Sequence, residues 1–295
     1  MTSTPEFVQN TIAMVYDFDG TLCPQPMQEY TVLPKLGIQP EEFWRWVEED
    51  AKQTGGEKML VYMRLLLEEA NNRRVYISRD DFRKMGKDIE YFPGVQEWFS
   101  KINQYVKRQS QGSVTIQHYI ISAGMKEILE GISIRKFFKQ IYASEYHFNF
   151  QGLATFPKQL ITDTTKTQYL FRVNKGKEAL EESINEHMPE WLRPIPFENI
   201  IYIGDGMTDV PSMALTKKNG GHTIAVYPSE DAQDQATCIK LLKAKRVDFI
   251  APANYQKDSP LFHRVQLLLN KILSSMAYQQ EVFTSQLHYG IVDHD

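Results

Sequence analysis

Cysteine is scarce: the chain of 295 residues has two, Cys23 and Cys238. Their spacing suggests neither a disulfide framework nor a metal site, so two free thiols in a reducing compartment are expected. No stretch approaches the ~18 apolar residues that a membrane helix needs. The first residues, MTSTPEFVQN, lack a basic start and an apolar signal core, which points to a cytoplasmic protein. Neither sign of charge dominates. Lys+Arg 33 against Asp+Glu 37 gives a net charge of −4, with no general attraction for nucleic acid or an anionic membrane. No internal repeat and no low-complexity tract is visible.

What remains is an ordinary globular composition, 42% hydrophobic and 24% charged. The length suits one large domain or a domain with an insert. Short apolar, β-branched runs predict strands at 12–19, 113–122, 140–148, 199–205, 222–227 and 246–251. Helices are expected from Pro93 to about Val106, from Met125 to Glu130, from Gly176 to Met188 and over about 260–280. Residues 148–167, with Gly152 and Pro157, predict a hairpin or loop excursion. Strands alternating with helices imply an α/β fold with a Rossmann-like, mostly parallel sheet flanked by helices. One region breaks the alternation. Residues 24–91 carry apolar residues at helical spacing in EEFWRWVEEDAKQ and GEKMLVYMRLLLEEANNRR, and Ser78-Arg79-Asp80-Asp81 reads as a helix start. The expected organisation is therefore a core of 1–23 and 92–295 with a small helical module at 24–91.

The chemistry is concentrated at predicted strand ends. VYDFDGTL places Asp17 and Asp19 two residues apart, so both carboxylates can face one pocket. In an open parallel sheet, ligands bind beyond the carboxyl ends of the strands. Two close carboxylates repel unless one is protonated or a cation sits between them and further acids. A hard cation such as Mg²⁺ takes a few carboxylates, keeps waters and binds phosphate oxygens. NIIYIGDGMTD repeats the strand–acid–glycine pattern with Asp205, Gly206 and Asp209. A third strand end, IISAG, offers Ser122, Ala123 and Gly124 before a helix start, a setting that suits a phosphate but also suits a simple helix cap. Lys175, read at a helix start, stands against the dipole preference, which points to an acid or phosphate partner; Lys166 and Lys177 are rivals for that place.

Together, in this order, DFDGT, the strand-end serine, a lysine and GDGMTD resemble the haloacid dehalogenase-like hydrolase superfamily, over about residues 10–22 and 92–252. The ISAG and GDGxxD forms look most like its phosphoserine phosphatase-like branch, and the helical insert like that branch's type 1 cap. The resemblance implies a phosphatase of small phosphorylated metabolites. Asp17 would be the nucleophile that forms an aspartyl-phosphate. Asp19 would be the general acid and then the base. Asp17 and Asp205, with the Asp19 backbone carbonyl, would hold Mg²⁺, supported by Asp209 and Gly206. Ser122 and Lys175, with backbone N–H groups near Phe18, Ala123 and Gly124, would bind the phosphoryl group. Specificity would lie in the cap, with Gln25, Met27, Glu29 and Arg64 as candidates and Trp44 and Trp46 packing within it. Hinges are expected near Cys23-Pro24 and Tyr91-Phe92-Pro93. The alternatives are a phosphotransferase using the same intermediate and a non-catalytic phosphate-binding protein on the same fold.

Overall fold

Alternate residues of the central strands enter two different cores, and this organises the molecule. In β1 (Thr11–Tyr16), Ile12, Met14 and Tyr16 point to one face of the sheet while Ala13 and Val15 point to the other. The same split holds in β5 (Ile200–Gly204), where Ile201 and Ile203 oppose Ile200 and Tyr202. A sheet covered on both faces needs near-continuous apolar strands, as β5 and β6 (His222–Tyr227), buried throughout, show. The computed structural model describes residues 6–228 and 232–291. Met1–Pro5 of the polar N-terminal stretch and the last four residues of the tail lie outside the described residues.

Seven strands form one sheet in the order β4-β3-β2-β1-β5-β6-β7. The others are β2 (Thr115–Met125), β3 (Phe138–Phe148), β4 (Ala154–Gln159) and β7 (Phe249–Pro252). All pairings are parallel except β3 with β4. The expected excursion at 148–167 is thus an antiparallel hairpin. Its turn is held by Asn149 Oδ1, which accepts the Gln151 and Leu153 N–H groups at 3.0 Å each. The chain leaves β1 toward β2 on one side and returns through β5 on the other. The β1/β5 boundary is therefore the switch point at which a ligand crevice forms.

Helices fill the rest. The predicted helical segment holds α1 (Met27–Tyr30), α2 (Val32–Leu36), α3 (Pro40–Thr54), α4 (Lys58–Asn72) and α5 (Arg79–Met85). α5 starts in a capping box: Ser78 Oγ accepts the Asp81 N–H while the Asp81 carboxylate accepts the Ser78 N–H. The apolar residues of these helices join one continuous cluster with the sheet face of Met14 and Tyr16, α6 (Val95–Gln109) and α11 (Pro260–His288). The short α7 (Lys126–Leu129) follows β2. The opposite sheet face packs against α8 (Lys166–Lys175), α9 (Val210–Lys218) and α10 (Ala232–Lys243).

One predicted helix is displaced. The helix before β5 runs Lys166–Lys175, not 176–188. Gly176 ends it at φ +64°, a left-handed stop that glycine adopts without a side-chain clash. The chain beyond cannot continue as a helix because its carbonyls are taken. The Arg172 guanidinium donates to the carbonyls of Lys177, Ala179, Leu180 and Glu182 at 2.6–3.3 Å. A loop wrapped around a buried arginine replaces the expected helix.

Candidate active site

Asp17 is the first residue after β1, and its N–H donates to the Ile203 carbonyl of β5 at 2.9 Å. The sheet ladder thus extends one step and sets the carboxyl at the β1/β5 crevice. Gly20 lies opposite Asp205, the first residue after β5. Its φ of +75° and the position of a Cβ, which would stand 2.4 Å from Asp205 Oδ2, both require glycine. The two strand-end motifs of the sequence therefore meet. One carboxylate oxygen each from Asp17, Asp205 and Asp209 lie within 4.8 Å of one another.

Lys166, not Lys175, is the lysine of this cluster. Its Nζ lies 2.9 Å from Asp17 Oδ1 and 2.8 Å from Asp209 Oδ1, and its side chain is 1% exposed. Lys175 is instead the last residue of α8, where the helix dipole favours a cation. It donates to the carbonyls of Ile184 and Glu186 at 2.6 and 2.8 Å. Lys177 bonds the Ser183 carbonyl and the Glu186 carboxylate at 2.8 and 2.6 Å. Lys166, the first residue of α8, is the lysine at a helix start, and it has two anionic partners.

Asp209 is fully buried and saturated with donors. Its Oδ1 accepts Lys166 and the Tyr202 hydroxyl at 2.6 Å, and its Oδ2 accepts the Asp205 N–H at 3.2 Å. Gly206, extended at φ −152°, accepts the Asp209 N–H at its carbonyl at 3.2 Å. Asp19 Oδ1 accepts the Met27 N–H at 2.9 Å. Ser122 Oγ accepts the Gly124 N–H at 2.9 Å, closing the turn at the end of β2. Gly124 lies under Asp19 and Met27: a Cβ there would stand 2.1 Å from Met27 Cε and 3.2 Å from Asp19 Oδ2. The Ala123 carbonyl accepts the Tyr62 hydroxyl of α4 at 3.2 Å. Ser122, Ala123, Gly124 and Asp19 thus share one corner of the site, covered by Met27 and Tyr62.

Of the other residues expected to face the site, only Met27 does. Glu29 accepts the Trp44 indole N–H at 2.7 Å. Arg64 pairs with Asp50 at 2.6 Å and Glu68 at 2.7 Å. Gln25 is exposed and its carbonyl accepts the Cys23 thiol. Trp44 packs edge-on against Phe43 and Tyr62, and Trp46 lies against the main apolar cluster. Tyr62 and Tyr202 are site residues that the sequence reading missed. Tyr202 carried a signal, a polar tip three residues before Asp205 in an otherwise aliphatic strand.

Electrostatics follow from this packing. Burial, then the charge of Asp209, pushes the Asp17 carboxyl upward, against the pull of Lys166. Burial, then Asp17, raises Asp19 to about 7, partly opposed by the Met27 N–H. Burial, then Asp209 and Asp17, raises Asp205 as well. Burial works against the Lys166 ammonium, but Asp17 and Asp209 outweigh it and hold it charged. Four carboxylates around one ammonium leave an excess of negative charge that a divalent cation would relieve. The oxygens of Asp209 are already taken, so Asp17 and Asp205 are the carboxylates with oxygens to spare for such an ion.

A parallel sheet in this strand order, with helices on both faces, also occurs in known structures. The chain is similar in fold to a HAD-family hydrolase of Salmonella enterica serovar Typhi (TM-score 0.54, 14% identity, covering 83% of this chain and 68% of that one). It is also similar to a phosphoserine phosphatase solved as a phospho-aspartyl intermediate analogue (TM-score 0.53, 16% identity, 87% and 98%). The fold is that of the haloacid dehalogenase-like hydrolases. A probable phosphoserine phosphatase of Vibrio cholerae shares the HAD-like fold (TM-score 0.54, 12% identity, 92% and 68%). Among curated proteins, an uncharacterized protein of Borreliella burgdorferi is 28% identical over 286 residues, 86% of this chain and 95% of that protein. No protein-family model matches. Among the described residues no helix is long and apolar enough to cross a membrane.

Proposed function

We propose that this chain is a Mg²⁺-dependent phosphatase that hydrolyses small-molecule phosphomonoesters through an aspartyl-phosphate on Asp17. The observation that carries the reading is the buried Lys166 bridging Asp17 and Asp209 beside Asp205 at the β1/β5 crevice. Lys166 orients Asp17 and opposes the upward push of burial and Asp209 on its carboxyl, which favours the ionised form that a carboxylate nucleophile requires. When bound, Mg²⁺ held by Asp17 and Asp205 supplies countercharge for the transferring phosphoryl group. Asp209 positions Lys166 and the Asp205 backbone. Asp19, raised to about 7, is suited to give a proton to the leaving alcohol and take one from the attacking water. The Ser122 hydroxyl and the Ala123 N–H would serve as phosphoryl-binding donors together with Lys166 rather than Lys175, while the Gly124 N–H holds Ser122 Oγ in place.

Residues 24–91 act in this reading as a cap on a core of 1–23 and 92–295. Met27 and Tyr62 touch the corner at Asp19 and Ala123, which supports that role. The two crossings pair where the Phe92 N–H donates to the Leu22 carbonyl at 3.1 Å, which marks the hinge. The free thiols Cys23 and Cys238 suit a reducing cytoplasm. The test is phosphate release from a panel of small phosphomonoesters, with Mg²⁺ and with EDTA, by the wild type and Asp17→Asn. Metal-dependent release that disappears in Asp17→Asn is expected. Release that survives in Asp17→Asn would overturn the reading.

A further inference from the structure

A second cavity of about 320 Å³ lies between α5 of the helical segment and α7 and β3 of the sheet body. Its lining is wholly ionisable: Arg79, Arg83, Lys126, Glu127, Glu130 and Glu145. Three of these six groups are matched by ion pairs. Glu130 pairs with Arg135 at 2.6 Å, and Glu145 with Lys158 at 3.0 Å. Arg79 is 3.7 Å from Glu145 and lies over the Phe148 ring at 4.4 Å. Lys126 comes no nearer than 3.9 Å to Glu145. The Arg83 side chain has no carboxylate partner among the described residues. Two cations are therefore left without a close counter-ion.

Glu127 supplies an independent sign of a ligand. It is 3% exposed, and its Oε1 accepts the Tyr146 N–H at 2.9 Å. Its Oε2 is buried with no hydrogen-bond partner among the described residues. A buried carboxyl oxygen left unpaired is costly, and groups of this kind occur where a further partner binds. The two walls pack closely. Gly131 lets the α5 backbone come so near that a Cβ there would stand 1.7 Å from the Arg83 carbonyl oxygen.

We propose that this cavity is a second, non-catalytic site for a small organic anion that carries a hydrogen-bond donor. The anionic group lies between Arg83 and Lys126, and the donor pairs with Glu127 Oε2. The cavity is of metabolite size. Bridging α5 and α7, the ligand ties the helical segment to the stretch that follows Ser122–Gly124. The proposal does not depend on the chemistry at Asp17.

The test is a titration of the ¹⁵N-labelled full chain with glycerate and, separately, with inorganic phosphate. The Tyr146 amide, which is bonded to Glu127, reports this cavity, and the Asp17 and Gly206 amides report the catalytic crevice. A saturable shift of the Tyr146 amide is expected with at least one probe. Arg83→Gln, an exposed change, should weaken that binding about tenfold and leave shifts at Asp17 and Gly206 unchanged. Glu127→Gln should weaken it too. A response to glycerate alone identifies a carboxylate ligand, and a response to phosphate alone a phosphate. No saturable shift at Tyr146 with either probe, or equal affinity in Arg83→Gln, would overturn the proposal.

Discussion

Replacing Lys166 by methionine tests the electrostatic logic of the site directly. The ammonium sits 2.9 Å from Asp17 and 2.8 Å from Asp209 and is 1% exposed. Removing it leaves two buried carboxylates facing each other with no cation between them. Breaking a buried pair in this way costs about 3–5 kcal/mol. In EDTA the loss should depend on pH. Without Lys166 the native carboxyls hold their protons more tightly than the unfolded chain does, so protonation restores stability as pH falls. The deficit of Lys166→Met should therefore be smaller at about pH 5 than at about pH 8. Phosphatase kcat should fall by about 10²-fold or more, the range for losing one preorganised charge-stabilising donor. Lys175→Met is the control. It removes two bonds to loop carbonyls, which costs about 1–3 kcal/mol of stability, with kcat/KM unchanged. Urea denaturation and steady-state kinetics on both variants decide the matter. Full activity in Lys166→Met, or lost activity in a folded Lys175→Met, would rule out this role for Lys166.

Three other outcomes are expected. Asp19→Asn should slow the first-turnover release of alkyl alcohols about 10²–10⁴-fold but spare the first-turnover burst of p-nitrophenol from p-nitrophenyl phosphate, whose leaving group needs no proton; an equal loss in both first turnovers would count against Asp19 as the acid. Gly124→Ala should push Met27 from its seat over Asp19. Its stability cost, measured by thermal unfolding, should be about 1–3 kcal/mol, with a larger loss in kcat/KM. His118 is held neutral in a buried chain: Trp98 donates to the Tyr16 hydroxyl, Tyr16 donates to His118 Nδ1, and His118 Nε2–H donates to Asn103. Burial lowers its pKa from 6.5 to about 3, so the unfolded chain takes up a proton below about pH 6.5 that the native state refuses. Stability contributed by this neutral histidine is complete above that pH and is lost as pH falls, by up to about 1.4 kcal/mol per pH unit. His118→Gln should flatten that acid slope, and an unchanged slope would contradict the assignment.

Much of this was legible in the sequence because it is local. A strand that ends in an acid and a glycine announces itself twice, at Asp17 and Asp205, and sheet topology does the rest. The capping box at Ser78–Asp81 and the helical spacing of α3 and α4 were equally readable. One helix boundary led Lys175 to be preferred over its rival Lys166 as the lysine beside Asp17. EALEESINEHM is rich in helix formers, but Arg172 takes the carbonyls at its start and Gly176 stops the preceding helix. Gly176 as a C-terminal stop, with the threonines before Lys166 as a start, was the available signal. Met27 was reached through its place just after the first motif, but Tyr62 was beyond such signals. Its contact with Ala123 joins residues 61 apart in the chain, and only the folded sheet brings them together.

The most direct test of the central claim is to find the covalent intermediate. The protein would be mixed with Mg²⁺ and a phosphomonoester that it turns over, quenched in acid, digested and analysed by mass spectrometry. A phosphoryl adduct is expected on the peptide that contains Asp17, on that aspartate and absent from Asp17→Asn. Turnover with the adduct on another residue, or an undiminished rate in Asp17→Asn, would contradict it.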